Sequence, residues 1–421
     1  MNMILRALMV SVWFMALTFP LVVLKVDALN DTILFRWENM ASIGVGAFVL
    51  SIFWRWSMER KARGAVSTGP SLFARALEAV RQPKPRYTCL GLIAVLMLVM
   101  PYISSMYQIN IMISALIYIM LGLGLNIVVG LAGQLVLGYA AFYAVGAYTY
   151  GLLNTYFGLG FWAVLPVGGI MAALFGLMLG FPVLRLKGDY LAIVTLAFGE
   201  IIKEIVTCLI VGVDSRGLHV IFNITGNSTI DDLHLLEDGT AIIKGAQGAS
   251  GVSTYSTFLA GAILVMVALV IVLNLVRSRT GRAIMAVRDN KIAAESVGIS
   301  VTEYRMIAFV VSAALAGAAG ALFGGNFSQL SATKFDFNTS ILILVFVVLG
   351  GLGNMRGSVI AAALLTVLPE LLRQFSDYRM LIYAIVLILV MIFTNNPQLK
   401  AFFARIKDRF APKKEVAADA Q

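Results

Sequence analysis

The segment "GRAIMAVRDNKIAAESVGIS" (residues 281–300) decides how this chain is read. It carries five charged side chains, Arg282, Arg288, Asp289, Lys291 and Glu295, and it lies between apolar runs at 255–276 and 306–325. A bilayer crossing needs about 20 consecutive apolar residues. A charged, helix-forming interlude between two such runs must leave the membrane. On one continuous helix Arg288, Lys291 and Glu295, three and four apart, share a face. Ala286, Ala293 and Val297 line another, close-packing face, and Gly298 offers a helix stop. Two uses remain open for such a helix: lying among lipid headgroups or inserting into a groove of a partner.

Composition agrees with a membrane protein. Of 421 residues, 60% are apolar and 13% charged, against about 25% charged in an average soluble domain. Apolar segments fall near 7–24, 40–54, 88–106, 110–130, 135–154, 161–184, 190–212, 255–276, 306–325, 341–353, 358–372 and 380–396. The first is expected to remain as an uncleaved span, because "KVDALN" is a poor cleavage site. The pieces at 341–353 and 358–372 are short for full crossings. The predicted fold class is an all-α polytopic membrane protein, a bundle of about ten to twelve transmembrane helices. Three parts are expected: an N-terminal extension over 1–87, with two spans and a basic connector; a core over 88–400; and a polar tail over 401–421.

Charge sets the orientation. With the N-terminus, 55–87, 185–188, 277–305, Arg356 and 400–421 on one side, that side holds 24 of the 32 Lys and Arg residues. Basic excess marks the cytoplasmic side, so 281–300 is cytoplasmic. The net charge of +10 is thereby explained without nucleic acid as a partner. The opposite loop, 213–253, carries five acids: Asp214, Asp231, Asp232, Glu237 and Asp238. Cys89 and Cys208 lie far apart, and no disulfide is expected.

Chemistry is sparse. The chain has no Gly-Lys dipeptide, so it cannot form a G-x-x-x-x-G-K-[ST] phosphate cradle. The histidines, His219 and His234, lack a metal-ligand pattern, and no metal is expected. Two stretches put polar groups at membrane depth. In "LKGDYLAIVTLAFGEIIKEIV" (186–206), Glu200, Lys203 and Glu204 fall 11 to 15 residues beyond Asp189, roughly 16 to 22 Å along a helix. Charges there are paired or face an aqueous path, and Lys203 can pair with Glu200 on its own helix. The open readings are a structural ion pair and the lining of a translocation path. The second stretch, "NIVVGLAGQLVLGYAAFYAVGAYTYGLL" (126–153), combines Asn126, Gln134, Tyr139, Tyr143 and Tyr148 with Gly130, Gly133 and Gly138, which can break the helix near Gln134. A cavity for a zwitterionic solute and simple aromatic-glycine packing both fit. A faint internal echo links "VVGLAGQLVLG" (128–138) with "VVLGGLGNMRG" (347–357), as in transporters built from repeats with interrupted helices.

Four stretches, 126–148, 186–201, 281–323 and 343–365, together resemble one family: the larger, LivM-type permease subunit of high-affinity branched-chain amino-acid ABC importers. The resemblance covers roughly 110–400. It implies a multi-pass protein of the bacterial inner membrane, itself not an enzyme and binding no cofactor. Its partners would be the lipid bilayer, a second permease subunit, two cytoplasmic ATPase subunits that use ATP, and an extracytoplasmic amino-acid-binding protein. Residues 281–300 would be the cytoplasmic coupling helix, with Arg288, Asp289, Lys291, Ala293, Ala294, Glu295 and Gly298 meeting an ATPase. Asn126, Gln134, Tyr139, Glu200, Lys203 and Glu204 would line the translocation path. Ile292 stands where the wider importer signature has glutamate. Urea or short-chain amide import, or a stand-alone secondary transporter, are the alternative functions.

Overall fold

The computed structural model describes residues 24–27, 32–35, 105–186, 188–214, 217–223, 240–250, 252, 258–327, 329–373, 381–385 and 387–388. The expected spans at 7–24, 40–54 and 88–106, the basic connector, His234, Cys89, most of the last span and the tail lie outside these residues, wholly or nearly so. The chain divides into two compact units, Met1–Arg86 and Tyr87–Gln421. In the first, β1 (Leu24–Asp27) and β2 (Thr32–Phe35) form an antiparallel pair with Leu24 opposite Phe35.

The second unit is a helical bundle. Its long elements are α1 (Met106–Leu125), α2 (Ala140–Phe157), α3 (Phe161–Val183), α4 (Asp189–Cys208), α5 (Phe258–Arg277), α8 (Val301–Asn326), α9 (Phe337–Gly350) and α10 (Met355–Leu371). Two short helices, α6 (Arg279–Asp289) and α7 (Lys291–Ser296), connect α5 to α8. By length and apolar composition, Met106–Leu131, Phe161–Val183, Phe258–Arg277 and Val301–Asn326 are long enough to cross a membrane unaided. The multi-pass helical architecture is therefore present.

One feature departs from an all-α reading. The chain that leaves α4 forms a five-stranded sheet in the order β4-β3-β5-β6-β7. β3 (Leu209–Asp214) pairs antiparallel with β4 (Gly217–Phe222) and with β5 (Thr240–Lys244). β6 (Ala249–Ser250) then joins β7 (Gln329–Leu330) to the sheet. "LIVGV" is rich in β-branched residues, which favour strands, and the loop turns where Gly217 donates its N–H to Asp214 Oδ1 at 3.2 Å. The apolar run at 190–212 is thus a helix to Cys208 followed by a strand.

The bundle is held by small residues. α8 carries "AALAGAAGALFGG" (313–325) and packs most extensively on α3 and α2. A Cβ added to Gly146 would lie 2.0 Å from the Gly317 carbonyl oxygen, and one on Gly320 would lie 2.2 Å from that of Tyr143. Lipid gives helices no hydrophobic reason to associate, so such backbone approach supplies the packing energy. The lipid-facing sides are apolar: Trp162, Ile170, Leu174, Met178 and Phe181 on α3, with Met266, Val267 and Val270 on α5, are exposed.

Contacts also sort the two ends. Arg288 meets Gly130 and Gly133, and Gly130 meets Gly353, so 130–134, α6–α7 and 351–356 share one end. The sheet and the α2–α3 turn belong to the other. This alternation is the one expected from charge.

Candidate functional site

At the basic end, residues 279–300 form two helices where one was expected. Ser278 caps α6 by accepting from the Gly281 N–H at 3.0 Å. At Asn290 the backbone turns extended (φ −154°, ψ 109°), and its Oδ1 accepts from the Ala293 N–H at 3.1 Å. Asparagine is a strong N-cap residue, so it ends one helix by starting the next. The second helix stops in a Schellman arrangement: Gly298 has φ +82°, its N–H donates to Glu295 O, and the Ile299 N–H donates to Ala294 O, both at 3.0 Å. Gly298 has the expected role.

The break redistributes the expected faces. Arg288 does not continue the face of Lys291 and Glu295; it reaches back to donate from Nη1 to the Gly130 carbonyl. Ala293 and Val297 do not pack: both are exposed, whereas Ile284, Val287 and Ala294 are buried. Asp289 and Glu295 are exposed and Lys291 is half-buried. The outward surface of α7 is therefore Ile292 (80% exposed), Val297 (74%) and Glu295. Two large aliphatics thus stand uncovered beside a carboxylate, an exposed apolar patch that helical periodicity missed. The signal available was Ile292, an apolar residue inside the most polar segment.

Arg288 leads into the glycine-rich stretches. After α1 the backbone widens into a π-turn over Asn126–Leu131 and then runs without helix until Tyr139, with Gly133 at φ +67°. π-turns cluster at functional sites. Asn126, fully buried, donates from Nδ2 to Ser358 Oγ and accepts at Oδ1 from the Gly353 N–H, both at 2.8 Å. A Cβ on Gly130 would lie 2.4 Å from the Gly353 nitrogen. The two echoing stretches, 128–138 and 347–357, thus touch. A continuous run of contacts links α6, Arg288, Gly130 and Gly353. Replacing Asn126 by Leu leaves the Gly353 N–H unpaired, which costs about 1–3 kcal/mol. The expected outcome is a lower thermal midpoint of the purified chain; an unchanged midpoint would remove Asn126 from this strut.

The unwound segment 132–139 returns to the bundle interior. Gly138 packs on Thr195 and Gly199 in the middle of α4, and the Ala140 N–H donates to Ser340 Oγ in the first turn of α9 at 2.9 Å. Two interrupted helices, α2 and α9, therefore begin beside each other inside the bundle. Irregular backbone at such depth is tolerated where protein buries it or a cavity receives it. Tyr139 belongs to the packing. Its hydroxyl, fully buried, donates to Ser312 O at 3.0 Å, while Ser312 Oγ donates to Gly124 O at 2.7 Å. Asn126 and Tyr139 are both buried with their polar groups paired, as struts of the bundle. Gln134 does line a cleft, one of 230 Å³ at the basic end.

Glu200 and Lys203 form the pair read from their spacing, 3.0 Å apart on α4. They are part-exposed, at 38% and 26%, and Glu204 is exposed. Lys203 also acts electrostatically on Asp336, whose Oδ1 caps α9 by accepting from the Thr339 N–H at 2.9 Å. Charge thus gathers beside the start of a half-helix. Further out lies a cleft of 390 Å³ among α1, α2, α8 and the segment before α9. Tyr118, Tyr143, Phe323 and Phe327 give it aromatic walls, and Gln329 and Lys334 supply polar groups. Tyr143 stacks edge-on to Phe335 at 4.9 Å between ring centres. Such a cleft suits a small solute with an apolar body and an anionic group. Among the described residues no cluster of potential metal ligands occurs.

Known proteins resemble this arrangement through sequence. The LivM permease protein of the high-affinity branched-chain amino acid transport system from Escherichia coli strain K12 is 41% identical over 335 residues, covering 74% of this chain and 76% of that protein. Its Salmonella typhimurium strain LT2 counterpart is 39% identical over 324 residues, 71% and 73% of the two chains. A fructose import permease protein from Bifidobacterium longum is 30% identical over 120 residues, 26% of this chain and 35% of its own. No solved structure matches. Residues 107–393, which hold the unwound glycine stretches, the α6–α7 connector and both clefts, match the family described as branched-chain amino acid transport system, permease component. The chain belongs to that family.

Proposed function

We propose that this chain is the membrane permease subunit of an ATP-driven importer for branched-chain amino acids in a bacterial inner membrane. One observation carries the mechanism: an exposed apolar-acidic helix, α7, adjoins a helix whose last arginine holds the backbone of an interrupted span. A separate ATPase subunit docks on Ile292, Glu295 and Val297. Its opening and closing moves α6, and Arg288 passes the displacement to the Gly130–Gly353 contact between two half-helix systems. The chain is bistable and binds no nucleotide itself; ATP is used by the two ATPase partners. An extracytoplasmic binding protein delivers cargo near the outer cleft, whose aromatic walls take an aliphatic side chain.

The second permease subunit covers α4. Charged groups at membrane depth do not face lipid, yet this chain leaves Glu200, Lys203 and Glu204 partly uncovered. A partner subunit and an aqueous path between the two chains complete their surroundings. Glu200→Gln is expected to lower uptake about tenfold, the worth of one charge-assisted hydrogen bond, while co-purification of the partners stays unchanged. Normal uptake would leave the pair a purely structural role.

The deciding experiment is reconstitution of the complex in proteoliposomes with labelled leucine. Uptake is expected to require ATP, both ATPases and the binding protein, and to ignore a large excess of urea. Ion-gradient-driven uptake by this chain alone would overturn the proposal.

A further inference from the structure

The corner where α5 turns into α6 gathers positive charge that no acid balances among the described residues. Arg277 ends α5, and Arg279 and Arg282 lie in the first turn of α6. All three are exposed, and no carboxylate pairs with any of them among the described residues. The corner is tight: a Cβ on Gly281 would lie 2.0 Å from the Leu275 carbonyl oxygen, so the first turn of α6 sits against the last turn of α5. Arg282 donates from Nη1 to the Arg277 carbonyl at 2.9 Å, which uses one of the five N–H donors of its guanidinium. The guanidinia of Arg277 and Arg279 have no hydrogen-bond partner among the described residues. Along α6 the acid is Asp289, seven residues from Arg282, or about 10 Å along the helix.

Depth decides which anion this corner meets. α5 has 20 residues, about 30 Å at the helical rise, and that matches the hydrocarbon thickness of a bilayer. Its uncovered face is apolar along its length: Leu259, Ile263, Met266, Val267, Val270 and Leu273 are exposed. Such a helix crosses the hydrocarbon with little to spare, so Arg277 and the residues after it stand among the headgroups. A guanidinium takes a phosphate through two parallel hydrogen bonds. A zwitterionic headgroup brings its own ammonium against three cations, whereas an anionic headgroup brings none.

We infer that the α5–α6 corner binds the phosphodiester of an anionic phospholipid, and that this anchors the first turn of α6 at the membrane surface. The mechanical half rests on the proposed import function. α6 buries Ile284 and Val287 and carries Arg288, which holds the Gly130 carbonyl. With its first turn tied to the headgroups, α6 turns a push on α7 into rotation about a fixed point, and the displacement arrives at Arg288. Without the tie, the same push slides the whole helix along the membrane surface.

The test titrates fluorescent phosphatidylglycerol into the full complex held in a neutral detergent. Saturable binding is expected in the wild type, with phosphatidylcholine a poor competitor. In Arg277→Gln/Arg279→Gln it should weaken about thirtyfold, each basic residue near an anionic surface being worth about fivefold. Arg277→Lys/Arg279→Lys keeps the charge and should keep most of the affinity. The glutamine pair forfeits no internal hydrogen bond, so the fold should survive; unchanged size-exclusion behaviour checks this. Arg356→Gln, exposed at the same end on α10, is the control and should bind as wild type. Equal affinity in wild type and the glutamine pair, or equal weakening by Arg356→Gln, overturns the site. Displacement by glycerol 3-phosphate as effective as by the lipid would show a free-phosphate site and end the lipid assignment. Loss of ATPase co-purification in the glutamine pair would give the corner to the ATPase, which also overturns it.

ATP-driven leucine uptake in phosphatidylcholine vesicles, with and without phosphatidylglycerol, tests the anchor. The anionic lipid should raise wild-type uptake several-fold and leave the glutamine pair unaffected. An equal rise in both, or none in the wild type, rejects the anchoring role. Complete lack of wild-type uptake in either lipid, with phosphatidylglycerol binding retained, would sink the import function and leave the lipid site standing.

Discussion

Gly146→Val is expected to abolish recovery of the folded bundle. A Cβ at Gly146 would sit 2.0 Å from the carbonyl oxygen of Gly317 and 2.6 Å from its carbonyl carbon and Cα. These are backbone atoms, so no side chain can rotate away; α2 and α8 must separate. Their separation also opens the contacts of Gly317 with Gly168 and Ala172 on α3. Ordinary overpacking of a core costs about 1–3 kcal/mol, and a rigid backbone clash at the centre of three helices exceeds that. The readout is the monodisperse fraction of detergent-extracted protein, with Gly160→Ala as the control. Gly160 has φ −66° and nothing within 4 Å of its would-be Cβ, so that variant should behave as wild type. A monodisperse, transport-active Gly146→Val protein would refute the α2–α8 packing.

Arg288→Ala should separate docking from transport. Arg288 touches Gly130 inside the chain, whereas Glu295, Ile292 and Val297 face outward. Removing a hydrogen bond from a charged donor costs about 1.5–3 kcal/mol, or roughly ten- to a hundredfold in rate if spent on the coupled step. ATPase subunits should therefore co-purify with Arg288→Ala at wild-type levels while ATP-driven leucine uptake falls by that factor. Glu295→Lys should do the reverse at the first step: association itself weakens, and uptake falls as a consequence. Loss of ATPase association in Arg288→Ala would place Arg288 in the docking surface after all and end the assignment of α6 as an internal lever.

How far the sequence could be read varies with how local the controlling physics is. The Glu200–Lys203 pair was legible because both partners sit on one helix turn. Gly298 was legible because a left-handed C-cap needs only its own φ. The helix break after α1 was legible from Gly130, Gly133 and Gly138. Asn290 was overlooked: a helix-capping asparagine inside an otherwise continuous pattern looks like one more polar position. The strands β3–β6 were hidden because an apolar run leaving a span reads alike as helix or strand. Tyr139 and Gln134 looked equivalent as polar groups at depth, yet one is a satisfied strut and the other a buried amide with no partner among the described residues.

The amino-acid order alone pointed to a multi-pass helical membrane protein and to the places where spans are interrupted. Those properties follow from transfer of each segment into lipid and from local backbone freedom, both readable within a few neighbouring residues. The tertiary structure decided which polar groups are occupied and which are left available. Asn126 finds its partners 227 and 232 residues away, and Arg288 finds its own 158 residues back. Hydrogen-bond satisfaction in a solvent-poor interior is a property of the assembled bundle. Only there does one glycine stretch come to rest against another, with Gly130 against Gly353 and Arg288.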